Sequence, residues 1–394
     1  MGNYRTGVLA PIAHEDTGIG WLRPRKKRPM AQPLATFWVL STRVIGYRLV
    51  RVSPIAHLHS MQLYDVIIVG GGPCGLAAGI EAAKAGLSHL ILEMGSLTES
   101  IRQYPRRMRF FSTAENIEIG GLPFSISGVK AGRDEALQYY RKTAAYYKLN
   151  FKLFQEVWDV TNDGDVFTVS TKTGDRYRAS KVIMATGYFT HPRRLGIPGE
   201  NQPHVSHYYD EPFKYSFTNV VIIGASNSAV EAALELYRHD VNITVVHRGE
   251  DFRSTVKYWL VPDVKNRVKE GKIKTAFDSV VTQIDEKSVT VNNLRTGEET
   301  QLPADFVLVL TGYVPDASLL RRCGIALNPE TQVPVFDKET FETNVPGLYV
   351  CGTVLAGIYT EKVFIENGRE HAQSIIDHIM GREVHKVAEL IQRI

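Results

Sequence analysis

Two strand–turn–helix units with glycine-rich turns constrain this chain more than any other feature of its sequence. In the first, the apolar run 64–69 leads into GGGPCG at 70–75, and an alanine-rich helical pattern follows. Gly70, Gly72 and Gly75 fit G-x-G-x-x-G between a buried parallel strand and a helix. The first glycine permits a tight turn, the second lets backbone approach a pyrophosphate, and the third lets the helix pack on the strand. The sequence therefore predicts a dinucleotide site.

The same unit has an acidic residue at the expected distance. The next strand ends at Glu93, 18 residues after Gly75, where an acid accepts a hydrogen bond from a ribose hydroxyl. The helix that follows the turn presents free N–H groups and a partial positive charge to phosphate. The candidate cofactor-binding residues are Gly70, Gly72, Pro73, Cys74, Gly75, Glu93 and Met94.

A second unit follows, with Gly224 placed 154 residues after Gly70. The segment 224–229, GASNSA, matches G-x-G-x-x-A with a serine at the second glycine. The next strand ends without an acid, and arginines there accommodate the 2′-phosphate of NADP. NADPH is thus predicted over NADH, with solvated surface charges as the alternative for the arginines. The candidates are Gly224, Ser226, Asn227, Ser228, Ala229, His247, Arg248 and Arg253.

Two nucleotide units in one chain predict a flavin enzyme that is reduced by a nicotinamide. Two apolar strands ending in Thr-Gly flank the second unit, so the chain is expected to leave the first domain near Gly187 and return near Ala304. The predicted fold class is α/β, with two Rossmann-like three-layer domains, one inserted into the other. The predicted segments are an FAD domain at 61–188 and 305–394 and an NADPH domain at 189–304.

Three further elements are predicted. Residues 158–184 are expected to form a small meander with turns at Gly164 and Gly174. A late strand at 348–353 is followed by a helix over about 360–380, which Gly381 stops.

These motifs, GGGPCG, GASNSAVE, ATG and NVPGLYVCG, resemble the thioredoxin-reductase-like flavoproteins over residues 63–382. The resemblance implies a discontinuous FAD domain, an inserted NADPH domain and a homodimer. Thioredoxin reductase carries a Cys-x-x-Cys pair in the inserted domain, whereas residues 189–304 contain no cysteine. This difference argues against a dithiol thioredoxin reductase.

A narrower resemblance is to the bacillithiol disulfide reductase family, on Cys74 within the first turn and on the segments 109–115 and 364–369. It implies FAD, NADPH and a low-molecular-weight disulfide substrate, namely bacillithiol disulfide. In the wider group an Asp after the late glycine holds the FAD ribityl chain, but Thr353 follows Gly352 here, so a hydroxyl or a backbone N–H would make that contact. Further candidate contacts are Ser112, Thr113, Gly187, Gly352, Thr353, Thr360, Glu361 and Lys362.

Cys74 is the candidate catalytic residue, because it lies at a helix N-terminus beside the phosphate-binding turn. A helix end stabilises a thiolate, whereas the phosphates of FAD oppose its charge. The hypothesis is that Cys74 forms a mixed disulfide with half of the substrate. The alternative is a small residue that fits a tight turn.

Composition excludes other classes of protein. With 44% hydrophobic and 22% charged residues, the chain is typical of a globular protein, and three cysteines are too few for a disulfide framework. No metal-ligand spacing appears. The net charge of +4 comes from residues 1–60, which hold nine Lys or Arg and two acids. Neither a nucleic-acid nor a membrane partner is therefore predicted, and a reducing cytoplasm is expected.

The basic segment 1–60 shows no sustained helical or strand periodicity. Our hypothesis is that Met61 is the natural start and that this segment is upstream sequence. A disordered targeting tail and an ordered extension are the alternatives.

Three other functions stay open at this point. A ferredoxin–NADP reductase of the same fold also lacks the Cys-x-x-Cys pair, although it would not need a redox-active Cys74. A flavin monooxygenase is disfavoured, because Gly199 and His204 have four residues between them rather than the usual three. A nucleotide-sensing protein would bind both cofactors without turnover.

Overall fold

The computed structural model describes residues 62–360 and 362–387. The leader 1–60, Met61 and Glu361 lie outside the described residues, so the expectations for them stay predictions. The FAD- and NADPH-binding regions named below belong to one compact unit, Leu58–Ile394.

A seven-stranded sheet carries the first glycine-rich turn. Its strands follow the order β3-β2-β1-β6-β5-β4, and β15 also pairs with β6. The pairs β1–β2, β1–β6, β2–β3 and β6–β15 are parallel, whereas β4, β5 and β6 form the predicted antiparallel meander. The strands are β1 Leu63–Val69, β2 His89–Leu92, β3 Phe151–Lys152, β4 Val157–Asp163, β5 Val166–Thr171, β6 Arg176–Met184 and β15 Leu348–Val350.

A five-stranded parallel sheet carries the second turn, in the order β10-β9-β8-β14-β7. A three-stranded antiparallel sheet, β11-β12-β13, packs on one of its faces. The strands are β7 Val205–Ser206, β8 Asn219–Ile223, β9 Asn242–Val246, β10 Ile273–Ala276, β11 Ser279–Ile284, β12 Ser288–Asn293, β13 Glu299–Pro303 and β14 Phe306–Val309.

The helices cover the sheets and make layered domains. They are α1 Pro73–Lys84, α2 Glu99–Arg102, α3 Arg133–Tyr146, α4 Asn227–Tyr237, α5 Val261–Lys269, α6 Ala317–Arg322, α7 Ile365–Gly368 and α8 His371–Ile379. Successive side chains of β8 pack on opposite faces of the second sheet. Val220 and Ile222 pack with α4, and Val221 and Ile223 pack with the three-stranded sheet. The α/β class with two Rossmann-like domains is confirmed.

The expected return of the chain to the first domain near Ala304 is wrong. The strand β14, Phe306–Val309, pairs in parallel with β8 and β7, so it belongs to the second sheet. The carboxylate of Asp305 fixes this register by accepting hydrogen bonds from the backbone N–H and the side-chain amide of Asn219, at 2.9 and 3.0 Å. The boundary 304/305 therefore falls one strand too early, because an apolar run ending in Thr-Gly has the same pattern in either sheet.

The two connections between the domains lie side by side. The N–H of Arg193 donates to the carbonyl of Gly312 at 2.9 Å, and the N–H of Val314 donates to that of His191 at 2.9 Å. Both crossings thus form a short antiparallel ribbon.

The single late helix predicted over 360–380 is also wrong. The structure has two helices, α7 and α8, and Lys362 precedes both of them. Asn367 explains the delayed start, since its side-chain oxygen accepts the N–H of Phe364 at 2.7 Å and its amide donates to the carbonyl of Lys362 at 3.0 Å. The predicted stop is confirmed, because Gly381 has φ +64° just after α8.

Candidate functional site

The three glycines of the first turn have different environments. Gly70 has φ +112°, and a Cβ there would lie 2.4 Å from the carbonyl oxygen of Ala185. A Cβ on Gly75 would lie 2.0 Å from the carbonyl oxygen of Gly70, whereas a Cβ on Gly72 would meet nothing within 4 Å. The backbone therefore requires Gly70 and Gly75. Gly72 leaves open space at the N-terminus of α1, where a pyrophosphate is expected.

Glu93 ends β2 and is only 5% exposed. Its Oε2 accepts the N–H of Gly71 at 2.6 Å, and its Oε1 accepts that of Gly95 at 2.9 Å. Burial raises the pKa of the Glu93 carboxyl, and these backbone hydrogen bonds oppose the shift. The carboxylate closes the turn and keeps lone pairs for a ribose hydroxyl. Met94 beside it is exposed.

The segment 351–353, called the late glycine segment below, meets the residues that follow β6 at this site. A Cβ on Gly187 would lie 3.4 Å from Oγ1 of Thr353. Oγ1 of Thr186 is buried and has no hydrogen-bond partner among the described residues. The N–H of Gly352 donates to Nδ1 of the buried His371 at 3.1 Å. A Cβ on Gly70 would lie 3.3 Å from the Cα of Thr186, so this unpartnered hydroxyl belongs to a residue at the first turn. A free hydroxyl there, together with the open space at Gly72, fits a polar dinucleotide, so the residues present fit FAD.

Ser112 and Thr113 already have protein partners. The hydroxyl of Ser112 is hydrogen-bonded to the carboxylate of Glu366 in α7. The pKa of the Glu115 carboxyl is lowered by a hydrogen bond from its own backbone N–H and then by one from the hydroxyl of Thr113. Their flavin contacts stay predictions. Glu366 was not predicted as a site residue, because it lies 254 residues from Ser112 and no local pattern links the two.

Thr360 and Lys362 lie close to aromatic side chains. The hydroxyl of Tyr188, just after Gly187, donates to the carbonyl of Thr360 at 3.4 Å. The ammonium of Lys362 lies 4.4 Å from the ring centroid of Tyr359. Thr360 therefore lies next to the residues that follow β6, and the flavin contacts of Thr360 and Lys362 stay predictions.

The thiol of Cys74 faces the late glycine segment. A Cβ built on Gly352 or on Gly368 would lie 2.8 Å from its Sγ, so both backbones cover the sulfur. The residue is 8% exposed, and burial raises the pKa of its thiol to about 12. Cys74 is thus a neutral thiol at pH 7 in this arrangement. To act as a thiolate it must lose a proton, and the glycines that cover it must move.

Alkylation is expected to report this burial directly. Labelling of Cys74 by iodoacetamide in the folded protein should be slow at pH 7 and should rise about tenfold per pH unit up to pH 9, because only the thiolate reacts. The measurement is mass spectrometry of the Cys74 peptide. Unfolded protein is the control, since its thiols have the ordinary pKa of about 8.5. Fast labelling at pH 7 that is insensitive to pH would contradict the buried thiol.

The second turn has similar backbone constraints. Gly224 has φ +132°, and a Cβ there would lie 2.3 Å from the carbonyl oxygen of Leu310. Ser226 is the N-cap of α4 with extended backbone. The side chain of Asn227 is held by the following loop, since it donates to the carbonyl of Thr255 at 3.1 Å and accepts the N–H of Lys257 at 2.7 Å. Ala229 is buried and Ser228 is exposed, so Ala229 serves the close packing of helix on turn.

A cationic pair lies at the end of β9, beside this turn. The N–H of Arg253 donates to the carbonyl of Ala225 at 3.0 Å, which places Arg253 at the turn. Burial, and then the charges of Arg248 and Arg253, lower the pKa of His247. Both arginines are exposed, and neither forms an ion pair with a described residue. The arrangement therefore suits a phosphate monoester.

Replacing Arg248 and Arg253 together by alanine is expected to lower kcat/KM for NADPH roughly thirtyfold, because each lost charge-assisted hydrogen bond costs 1.5–3 kcal/mol at most and these sites are exposed. NADH, which lacks the 2′-phosphate, is the internal control, and its kcat/KM should stay within about twofold. Steady-state kinetics with both nucleotides measures this. An equal loss for NADH would contradict the assignment.

Neither a metal-binding cluster nor a helix able to span a membrane is present in the part of the chain that the structure describes. No group of three or more His, Cys, Asp or Glu side chains there is arranged to hold a metal ion. No helix there has the length and apolarity that a membrane span needs.

Several known proteins are similar in sequence to most of this chain. The sequence profile of the family described as "Pyridine nucleotide-disulphide oxidoreductase" matches residues 67–352. The "Bacilliredoxin reductase Bdr" of Bacillus subtilis is 38% identical over 81% of this chain and 98% of its own length. 

Two solved structures named "Bacillithiol Disulfide Reductase Bdr (YpdA)" agree with this. The one from Staphylococcus aureus is 38% identical, covers 82% of this chain and 99% of its own, and has a TM-score of 0.78. The one from Bacillus cereus is 37% identical, covers 82% and 100%, and has a TM-score of 0.79. With both dinucleotide turns inside the matched region, the chain belongs to the pyridine nucleotide-disulphide oxidoreductase family, whose members are enzymes.

Proposed function

We propose that this chain is an FAD-dependent reductase that uses NADPH to reduce a low-molecular-weight disulfide, with bacillithiol disulfide as its substrate. The overall reaction is NADPH + H⁺ + RSSR → NADP⁺ + 2 RSH. The position of Cys74 carries the proposal, since its sulfur lies within the first glycine turn and against the backbone of Gly352 and Gly368. A thiol at that position is adjacent to both chain segments that are expected to bind the flavin.

The chain offers a separate place for each cofactor. The first turn, Glu93 and the segment at Gly352 would hold FAD, and the second turn with Arg248 and Arg253 would hold NADPH. Bound FAD supplies two-electron redox chemistry between the hydride donor and the disulfide. The protein orients both nucleotides at helix N-termini and neutralises the phosphates.

Cys74 would act on the substrate in two balanced steps. Its thiolate attacks one sulfur of RSSR, which forms a mixed disulfide and releases RS⁻. Two electrons that originate from NADPH then cleave the mixed disulfide, releasing the second thiol and restoring Cys74. The raised pKa of this thiol means that a proton must leave before the first step.

The names of the relatives suggest two kinds of disulfide, a small molecule and a bacilliredoxin protein. Burial of Cys74 favours the small molecule, because a folded protein cannot bring its own disulfide to a sulfur that is 8% exposed without a large opening. The absence of a Cys-x-x-Cys pair in 189–304 also removes a surface dithiol that would exchange with a protein.

A panel of electron acceptors tests this proposal. The FAD-loaded chain is mixed with NADPH and either bacillithiol disulfide, a bacilliredoxin carrying a mixed disulfide, ferredoxin, or oxygen alone. We expect bacillithiol disulfide to raise NADPH consumption at least about tenfold above oxygen alone, and above ferredoxin. Faster consumption with ferredoxin, or no increase over oxygen, would contradict the proposed reaction.

Compartment and assembly complete the proposal. The three cysteines are free and buried, which suits a reducing cytoplasm. We propose a homodimer, as the resemblance implies, or a higher homo-oligomer, and sedimentation velocity of the FAD-loaded protein distinguishes them from a monomer.

A further inference from the structure

A groove of about 550 Å³ lies between the two domains. One wall is the segment 105–110 of the first domain, and the other is formed by α4 and the loop 257–260 of the second. No residue of either glycine-rich turn lines the groove. On α4 the lining residues are Glu231, Leu234 and Glu235, which follow the first turn of that helix. Its volume falls within the 300–1,000 Å³ that small-molecule sites occupy.

Basic side chains dominate the groove. Its cations are Arg107, Arg109, Lys130, Arg238 and Lys257. Three of them are compensated, Lys257 by Glu231, Arg238 by Asp263 at 2.7 Å and Arg107 by Glu235 at 3.7 Å. Arg109 and Lys130 form no ion pair with a described residue. These two therefore leave an uncompensated double positive charge on the first-domain side.

Arg109 lies against the backbone of Lys130. The guanidinium of Arg109 donates to the backbone carbonyl of Lys130 at 3.0 Å, and this contact positions the Arg109 side chain. Arg109 is exposed and Lys130 is partly buried. Because neither cation is fully buried, a carboxylate can replace the water around them at a modest desolvation cost.

An aromatic stack adjoins the cations. The rings of Phe111 and Trp259 stack with centroids 5.6 Å apart, and they join the two domains. The ammonium of Lys130 lies 4.0 Å from the centroid of Trp259. Phe111 is 59% exposed and Trp259 is 38% exposed, so part of each side chain is accessible. Aromatic rings contact sulfur favourably, which suits a disulfide.

The groove is next to the redox site along the chain. Arg109 precedes Ser112 by three residues, and Ser112 is bonded to Glu366 of the late segment. The stack residue Phe111 adjoins Ser112 directly. A ligand held by Arg109 and Lys130 would thus lie beside the chain segment that carries the candidate flavin contacts Ser112 and Thr113.

We propose that this groove binds small disulfides that bear carboxylates, and that Arg109 and Lys130 select them over neutral and cationic disulfides. The inference rests on the proposed function for the disulfide part of the ligand. The preference for a carboxylate rests only on the uncompensated positive charges of Arg109 and Lys130.

Calorimetry with the FAD-loaded protein, without NADPH, tests the binding. The probes are 3,3′-dithiodipropionate, bis(2-hydroxyethyl) disulfide and cystamine, which are anionic, neutral and cationic disulfides of similar size. We expect the anionic probe to bind at least about fivefold more tightly than the other two, and raised salt to weaken it. Equal affinities for all three would overturn the proposal.

Charge variants locate the site. Arg109→Gln with Lys130→Gln should weaken the anionic probe roughly five- to tenfold, because two partly exposed ion pairs are lost, and should leave the neutral probe unchanged. Arg109→Lys with Lys130→Arg should restore affinity. The matched control, Arg141→Gln with Lys142→Gln, removes the same charge from an exposed face of α3 and should have no effect. Equal weakening by the control would show a general charge effect and overturn the assignment.

Turnover separates this proposal from the proposed function. One outcome is that the anionic probe binds, that its affinity depends on Arg109 and Lys130, and that no disulfide raises NADPH consumption. This outcome would support the binding role of the groove and contradict the reductase activity. Consumption of NADPH at kcat/KM values that do not depend on Arg109 and Lys130 would support the reductase and contradict the groove.

Discussion

Replacing Gly72 by valine is expected to leave the protein folded and to remove its flavin. A Cβ at this position meets no protein atom within 4 Å, and the backbone there is extended with φ −73°, so a side chain costs the fold little. The same space lies at the N-terminus of α1, where the pyrophosphate of FAD must approach the backbone. We expect the bound flavin per chain to fall at least about tenfold, and NADPH consumption to fall in the same proportion.

Absorbance of the purified protein measures the flavin, and circular dichroism measures the fold. Gly128→Val is the matched control, because Gly128 is also exposed to open space and lies in a surface loop. Gly75→Ala should behave differently from both, since its Cβ would lie 2.0 Å from a carbonyl oxygen and would disturb the fold itself. A Gly72→Val protein with a full complement of flavin would show that the open space is not the cofactor site.

Replacing Cys74 by alanine is expected to abolish disulfide reduction, by at least about a hundredfold, and to preserve electron transfer from NADPH to ferricyanide. Alanine is smaller than cysteine and fits beneath Gly352 and Gly368, so the turn keeps its shape. Without the sulfur no mixed disulfide forms, whereas the glycine turns and the arginines at 248 and 253 are unchanged. Parallel assays with bacillithiol disulfide and ferricyanide measure the two activities.

Cys351 is the matched control for this experiment. It is 1% exposed, and its Sγ lies 3.8 Å from the carbonyl oxygen of Cys74. Cys351→Ala therefore perturbs the same packing without removing the proposed nucleophile, and disulfide turnover should stay within about threefold. Equal turnover in the Cys74→Ala protein and the wild type would establish the packing role for Cys74, the alternative left open by the sequence.

Local patterns predicted the two nucleotide units well. Each combines an apolar strand, a glycine turn and a helix within about 20 residues, and the turn geometry is set by contacts that glycine alone permits. The fold class and the cofactors follow from these units, and they are confirmed. The meander over 158–184 was predicted for the same reason, since its turns carry glycine at 164 and 174.

Non-local pairing limited the prediction elsewhere. The strand β14 has an apolar sequence that suits either parallel sheet, and only its hydrogen bonds to β8 show which one it joins. The three-stranded sheet at 279–303 was not predicted, because its apolar side chains pack on the second sheet, a contact that the local sequence does not show. Helix α7 begins late because of a side-chain cap by Asn367, which periodicity does not reveal.

The groove between the domains had no signal in the sequence. Arg109, Lys130 and Trp259 are far apart along the chain and appear as isolated charged or aromatic residues. The contact between Ser112 and Glu366 likewise joins distant segments. The sequence therefore identified the chemistry of the backbone turns, and tertiary packing determines which side chains surround them.

The central claim is that electrons from NADPH end as two thiols from one disulfide. The most direct test is the ratio of thiol formed to NADPH oxidised by the FAD-loaded chain with bacillithiol disulfide in the absence of oxygen, with thiols quantified by fluorescent alkylation and mass spectrometry. The predicted ratio is two thiols per NADPH, as the balanced reaction requires. Oxidation of NADPH without release of thiol would contradict the account.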